Sequence, residues 1–227
     1  AGFKYLILGA FASAILLMGM ALLYGQSGST EYASFVAIVN SGGMMTSLAV
    51  GLLLIGFGFK IAMVPFHMWT PDVYDGAPSH ITGYMATGVK AAAMASMLRL
   101  VWVLIPQVAG LWAPLLGVLA VLTMTIGNLV ALSQSNIKRM LAWSSIAHAG
   151  YLMLGLMTLL KPASDSTVPS VIADNAGGAI LFYLLAYSVM NLGAFGVISY
   201  LSSSRKDEAD QISRLAGLSQ TRPDRKS

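Results

Sequence analysis

Six apolar runs, each about the length of a bilayer crossing, account for most of this chain, and the stretches between them are short. They fall at Phe3–Gly25, Ser41–Pro65 with an extension to Trp69, Ile81–Leu104, Leu111–Leu132, Arg139–Leu160 and Gly177–Leu201. About 20 apolar residues carry a helix across the hydrocarbon core. The runs lack the alternation of barrel strands, so the expected fold is an all-α polytopic membrane protein, a helical bundle with about six transmembrane helices. The charge supply agrees. Charged residues make up 10% of the chain, against roughly 25% in soluble domains. From Ala1 to Leu160 the charges are Lys4, Glu31, Lys60, Asp72, Asp75, Lys90, Arg99, Lys138 and Arg139, and most of the rest follow Ser204.

There is no cysteine, which excludes disulfides, cysteine-ligated iron–sulfur clusters and thiolate zinc sites. The three histidines are scattered and form no metal-ligand spacing. A net charge of +4 is no nucleic-acid signal here, because the basic residues sit at helix ends and in the tail. The GFGFK stretch holds two glycines without the rest of a dinucleotide fingerprint. Alternating six spans puts Lys4, Lys138, Arg139, Arg205 and Lys206 on one side and leaves Lys161 on the other. By the positive-inside rule the first side is cytoplasmic, or matrix in a mitochondrion. No cleavable signal peptide is visible. Ala1-Gly2 is not an initiator and the polar tail stops without another span, so an internal piece of a longer bundle is expected, with a plain hydrophilic tail as the alternative.

Charges inside the spans carry the functional argument. Lys60 lies deep in the second run, five residues before Pro65. A proline cannot donate to the carbonyl four residues back, here that of Ile61, and its ring crowds that turn, so the helix should break just past Lys60. Broken helices at membrane depth line cavities or pack inside protein; the bland alternative is a lysine snorkelling to the interface. Lys90 lies nine residues past Ile81, about 13 Å into the bilayer at 1.5 Å per residue. Ala86, Ala93 and Met94 on its face cannot pair with it, so its partner must come from another helix or from water. A charge at that depth costs at least ~2.5 kcal/mol. Arg99 is close enough to its helix end to snorkel. Lys138 and Arg139 open the fifth run as interface anchors. His148, mid-span in WSSIAHAGY with Ser144 one turn before it, is either a buried neutral histidine bonded to a serine or carbonyl, or a proton relay. His67 and His80 are weaker candidates at helix ends. No carboxylate lies inside any span. Desolvation disfavours the charged form of a lysine, and a lysine in that setting exchanges a proton when a neighbouring charge changes.

The strings FKIAMVPFHMWTPDVYDGAP, ATGVKAAAMASMLRL and GNLVALSQSNIKRMLAWSSIAHAGYLMLGL together resemble the antiporter-like membrane subunits of respiratory complex I, the proton-pumping NADH:quinone oxidoreductase. The D-V-Y-x-G-A-P ending resembles the N-type subunit rather than the M- or L-type or the related cation/proton antiporters. The resemblance covers nearly the whole chain. It implies a bundle of inverted repeats, each with one discontinuous helix. Residues 1–104 would be the last three helices of the first repeat, 105–201 the first three of the second, and 202–227 a cytoplasmic or matrix-side polar tail leading to a missing helix.

On that resemblance Lys60 matches the lysine of the first broken helix, with Pro65 at the break, and Lys90 the central lysine of the next. His148 and Lys138 match polar positions towards the second half-channel. The family's glutamate partner of Lys60 would precede Ala1, and the second broken helix's lysine would follow Ser227. The implied function is a proton-translocating, non-redox subunit that catalyses nothing alone. It would hold no cofactor, with flavin, iron–sulfur clusters and quinone in partner subunits. Its partners would be other membrane-arm subunits and the lipid bilayer, with no nucleic acid. The implied location is the bacterial inner membrane, alternatively the mitochondrial inner membrane. Two other readings are a subunit of a cation/proton antiporter of the same fold, and a spacer between pumping modules.

Overall fold

The structure, a computed structural model, describes residues 1–41, 43–104, 109–160, 170–203 and 211–215. The regular elements among these residues are all helices. The elements are α1 (Gly2–Ser27), α2 (Tyr32–Ser41), α3 (Met44–Ile61), α4 (Thr70–Gly76), α5 (Ser79–Tyr84), α6 (Lys90–Leu104), α7 (Ala109–Leu132), α8 (Ile137–Leu159) and α9 (Ser170–Ser203). A π-helical turn, Met85–Val89, joins α5 to α6 without a gap.

Five helices have the length and hydropathy to cross a membrane: α1, α3, and the bulk of α7, α8 and α9. The remaining run, Ile81–Leu104, is present as well, but as the composite α5–π turn–α6 rather than one regular helix. Lys90 and Arg99 lower its hydropathy, and the π turn interrupts it immediately before Lys90. Two short helices were not foreseen. α2 follows the first polar loop. α4 starts with Pro71 and Asp72 in its first turn, where a missing N–H costs nothing and a carboxylate meets the positive end of the helix dipole.

The helices divide into inner and outer ones. Half of the apolar windows of α3 and α8 are buried by the rest of the chain, against 17% for α1, 22% for α7 and 28% for α9. α1 packs along α3, and α7 along α8. The second pair is held close at two glycines. A β-carbon on Gly150 would stand 2.8 Å from the Met124 backbone nitrogen, and one on Gly127 would stand 2.7 Å from that of Ala147. Leu53, Phe57, Met94, Met97 and Leu156 fill one core between α3, α6 and α8. A second core, around Trp69, Tyr74, Ile146 and Phe195, surrounds the segment after α3.

The residues assigned to one membrane face by charge do meet at one end. Lys4 of α1 donates to Asp72 of α4. Arg139 at the start of α8 reaches Asp72 at 3.2 Å and Asp75 at 3.5 Å. Asn136 donates to Asp75 at 2.9 Å and caps α8 through its Oδ1. The tail returns to the same place, with the Ile212 N–H bonded to the Ser135 carbonyl. Arg205, Lys206 and Lys161 lie outside the described residues.

The hydrogen bond from Lys4, with help from Arg139, holds the Asp72 carboxyl below the usual carboxylate range. A carboxyl held low in the fold contributes stability at every pH above its unfolded value of about 3.9, and loses it as pH falls through the lower folded value. In the full-length subunit, Asp72→Asn is therefore expected to lower the thermal midpoint slightly at neutral pH and to leave it unchanged at low pH. Thermal melts at a series of pH values measure both. A variant that tracks the parent at every pH would remove the ion cluster from the account.

Candidate functional site

The site begins where α3 stops. Ala62 takes a left-handed conformation, φ 61°. Its N–H bonds to the Phe59 carbonyl at 3.1 Å, and the Met63 N–H reaches back to Gly58 at 2.8 Å. These are the paired bonds of a Schellman ending, which normally uses glycine at the left-handed position. The helix thus ends at Ile61, four residues before Pro65, and its own cap closes it. Pro65 lies in the turn that follows, after a cis Val64–Pro65 peptide.

From Ile61 to Thr70 the chain is buried except at Pro65 and Met68, which are exposed, and at Phe66 and His67, which are half-buried. The Val64 N–H donates to Thr123 Oγ1 of α7 at 3.1 Å. Trp69 Nε1 donates to the Phe59 carbonyl at 3.1 Å, and its ring stacks on Phe59 with centroids 5.3 Å apart. Lys60 sits half-buried in the last turn of α3, where the carbonyl end of the helix favours a cation. Among the described residues no group pairs with its ammonium.

Lys90 is 2% exposed, the first residue after the π turn. Its Nζ donates to the Ser145 carbonyl at 2.7 Å and to Ser145 Oγ. The partner comes from another helix, as its apolar neighbours require, and it is a serine of α8 instead of a carboxylate. Tyr187 of α9 donates to the same Oγ at 2.7 Å, the Tyr74 hydroxyl also faces it, and Asn191 anchors the Tyr187 carbonyl at 3.0 Å.

His148 lies one turn beyond Ser145. Its Nδ1 shares a hydrogen with Tyr183 of α9; the partner is not Ser144. The imidazole also packs against Tyr151 and Tyr187, with centroids 5.6 and 5.1 Å away. Lys138 is elsewhere. It is buried at the start of α8 and reaches the Ala77 carbonyl at 3.4 Å, about 15 Å along the helix from His148 at 1.5 Å per residue. The structure therefore brings Lys90 and His148 to one polar cluster, puts Lys60 at the helix end, and leaves Lys138 at the charged end.

His67 was set aside on sequence grounds, but its ring packs on Trp143, centroids 5.2 Å apart. His67 Nδ1, Thr70 Oγ1 and Trp143 Nε1 are all buried without a protein partner among the described residues. Buried polar atoms of this kind are ordinarily satisfied by water. Among the described residues no group of three or more histidine, aspartate or glutamate side chains could hold a metal ion.

Residues 1–225 match the family model described as NADH:quinone oxidoreductase/Mrp antiporter, transmembrane. The chain belongs to that family. It is 49% identical over 227 residues to the NADH-quinone oxidoreductase subunit N of Trichlorobacter lovleyi, covering 98% of this chain and 44% of that protein. Among solved structures it resembles a chain of respiratory complex I from Thermus thermophilus at 39% identity and a TM-score of 0.71, covering 97% of this chain and 44% of that one. A chain of the Mrp complex from a Dietzia species shares the fold at 24% identity and a TM-score of 0.72, covering 87% and 34%. The chain thus spans under half the length of these relatives.

In this chain the Val64 N–H lies beyond the end of α3 and is taken by Thr123 Oγ1. Thr123→Val keeps the shape and removes the acceptor. An unmet buried donor costs ~1–3 kcal/mol, so the variant subunit is expected to melt earlier by that amount and to exchange the Val64 amide faster. Hydrogen exchange reads this locally; parental protection at Val64 would contradict it.

Proposed function

We propose that this chain is part of a proton-translocating subunit N of NADH-quinone oxidoreductase, working in the bacterial inner membrane beside other membrane-arm subunits. The redox groups, flavin and iron–sulfur clusters with the quinone they reduce, would lie in partner subunits, and this chain would move protons without redox chemistry of its own. The observation that carries the reading is Lys90, a lysine 2% exposed in a membrane span and met only by neutral oxygens. A cation at that depth without a carboxylate is costly, and a group whose charge is marginal is suited to alternate between two protonation states.

In this reading Lys60 takes a proton from the polar surroundings of the broken helix, where His67, Thr70 and Trp143 present unmatched polar atoms. Lys90 receives it next. Release follows when a neighbouring charge changes, towards the His148–Tyr183 pair. Lys138 stands at the charged end, where it can tune the field felt by the path. In the same reading, residues 1–104 close one inverted repeat around the broken helix and residues 105–201 open the next. Support comes from the subunit N relatives, which match along almost the full chain.

A cation/proton antiporter subunit would use the same lysines without a dehydrogenase. The family model that the chain matches spans both NADH:quinone oxidoreductase and Mrp antiporter proteins. Sodium-dependent transport with no coupling to NADH oxidation would select it.

The test is Lys60→Met and Lys90→Met in the full-length subunit within the assembled complex, read as protons pumped per NADH oxidised. A proton-transfer group contributes ~10²–10⁴-fold, so each variant is expected to lose pumping by about tenfold or more while the complex still assembles. Full pumping by both variants would end the proposal.

A further inference from the structure

Ser145 offers Lys90 two oxygens at once. The peptide carbonyl accepts from Nζ at 2.7 Å, and the side-chain Oγ accepts a second N–H. A serine oxygen has two lone pairs and one hydrogen. The ammonium uses one lone pair and the Tyr187 hydroxyl, donating at 2.7 Å, uses the other. With both lone pairs taken, the serine's own hydrogen cannot point at Lys90. Ser145 is 1% exposed, Tyr187 3% and Tyr74 1%, so water does not compete freely for these bonds.

We infer that Ser145 and Tyr187 are positioning residues for the proton on Lys90: Ser145 holds the ammonium, and Tyr187 sets the rotation of the serine hydroxyl and opposes the ammonium. The inference rests on the proposed reading of Lys90 as the proton carrier. The two residues act with opposite sign. Ser145 Oγ presents a negative dipole end to Nζ and favours the ammonium over the free amine. The Tyr187 O–H points its positive end at the atom Nζ is bonded to, and it competes for that oxygen. When Lys90 gives up a proton, its nitrogen gains a lone pair. The serine hydroxyl can then rotate and donate to the amine, so both states of the lysine keep a partner in the same place.

Other titratable groups stand on the elements around α6. They are Lys138, Arg139, His148 and Tyr151 on α8, Tyr183 and Tyr200 on α9 besides Tyr187, Tyr74 on α4 and Lys60 on α3, with Tyr32 of α2 beneath the Arg99 guanidinium of α6 itself. Among the described residues, Ser145 is the one side chain hydrogen-bonded to the Lys90 ammonium. Tyr187 is joined to Lys90 through it. The tyrosine also packs against the His148 imidazole, so the serine's orientation is set by the side chain that touches the proposed exit group.

The experiment uses the full-length subunit in the assembled complex, in inverted membrane vesicles, with pumping per NADH oxidised measured across pH. Three variants are compared: Ser145→Ala, Tyr187→Phe and Lys90→Met. Ser145→Ala is expected to move the alkaline limit of pumping to lower pH by about one to two units, the size of one hydrogen bond to an ionised group. Tyr187→Phe keeps the ring and deletes the competing donor, and is expected to move the same limit to higher pH. Loss of pumping in both with the limit unmoved would show plain structural damage and overturn the inference. An unmoved Ser145→Ala profile beside a dead Lys90→Met would overturn it while leaving the proton carrier standing. Full pumping by Lys90→Met would instead remove the reading beneath it. Should Ser145→Ala fail to assemble, the Tyr187→Phe limit decides, and no upward shift overturns the inference.

Discussion

The constraint behind the rest of the structure is that every backbone N–H and C=O at membrane depth needs a partner. A regular helix meets it internally, and the chain spends most of its length doing so. After Ile61 it cannot. The left-handed Ala62 closes the helix on itself, Thr123 receives the Val64 N–H, and Trp69 covers the Phe59 carbonyl. Those contacts come from two other parts of the chain, α7 and the segment leading into α4. The break is therefore held by tertiary structure, and an isolated α3 hairpin would not keep it.

The same constraint shapes the surroundings of Lys90. His148 stands one turn along α8 from Ser145, and among the described residues no carboxylate bonds the ammonium. What holds it is a backbone carbonyl and a hydroxyl, neutral groups that tolerate either protonation state of the lysine. A carboxylate would fix the charge in place. The hydroxyls of Tyr187 and Tyr74 and the Tyr183–His148 pair extend the neutral polar cluster across α4, α8 and α9. Inner and outer helices thus differ in role. α3 carries Lys60, α6 carries Lys90 and α8 carries His148, while α1 and α7 pack along α3 and α8.

Much of this could be read from the sequence because the physical signals were local. Apolar run length gave five spans nearly as observed, and the charge count placed Lys4, Arg139 and the loop containing Asp72 and Asp75 at one end. The break past Lys60 was expected from Pro65, and it occurs there. The cap, however, is made by Ala62, a residue with no left-handed preference that tertiary packing overrides. In the run Ile81–Leu104 nothing in MATGV marks a π turn. The partner of Lys90 was legible only as a requirement. Its identity depends on the rotation of α8 against α6, which puts Ser145 rather than Ser144 towards the lysine. One signal for the cluster does lie in the sequence: Tyr183, Tyr187 and Asn191 recur every four residues along α9, a polar stripe on one face.

The proposed proton path needs water at the break after Lys60, where His67 Nδ1, Thr70 Oγ1 and Trp143 Nε1 have no protein partner among the described residues. Cryo-electron microscopy of the full-length subunit, at a resolution that shows ordered water, tests this directly. The account predicts water density bonded to His67 Nδ1, Thr70 Oγ1 and Trp143 Nε1 and continuing to the Lys60 ammonium. Side chains sealing that space dry, with Lys60 turned out to the lipid interface, would contradict it.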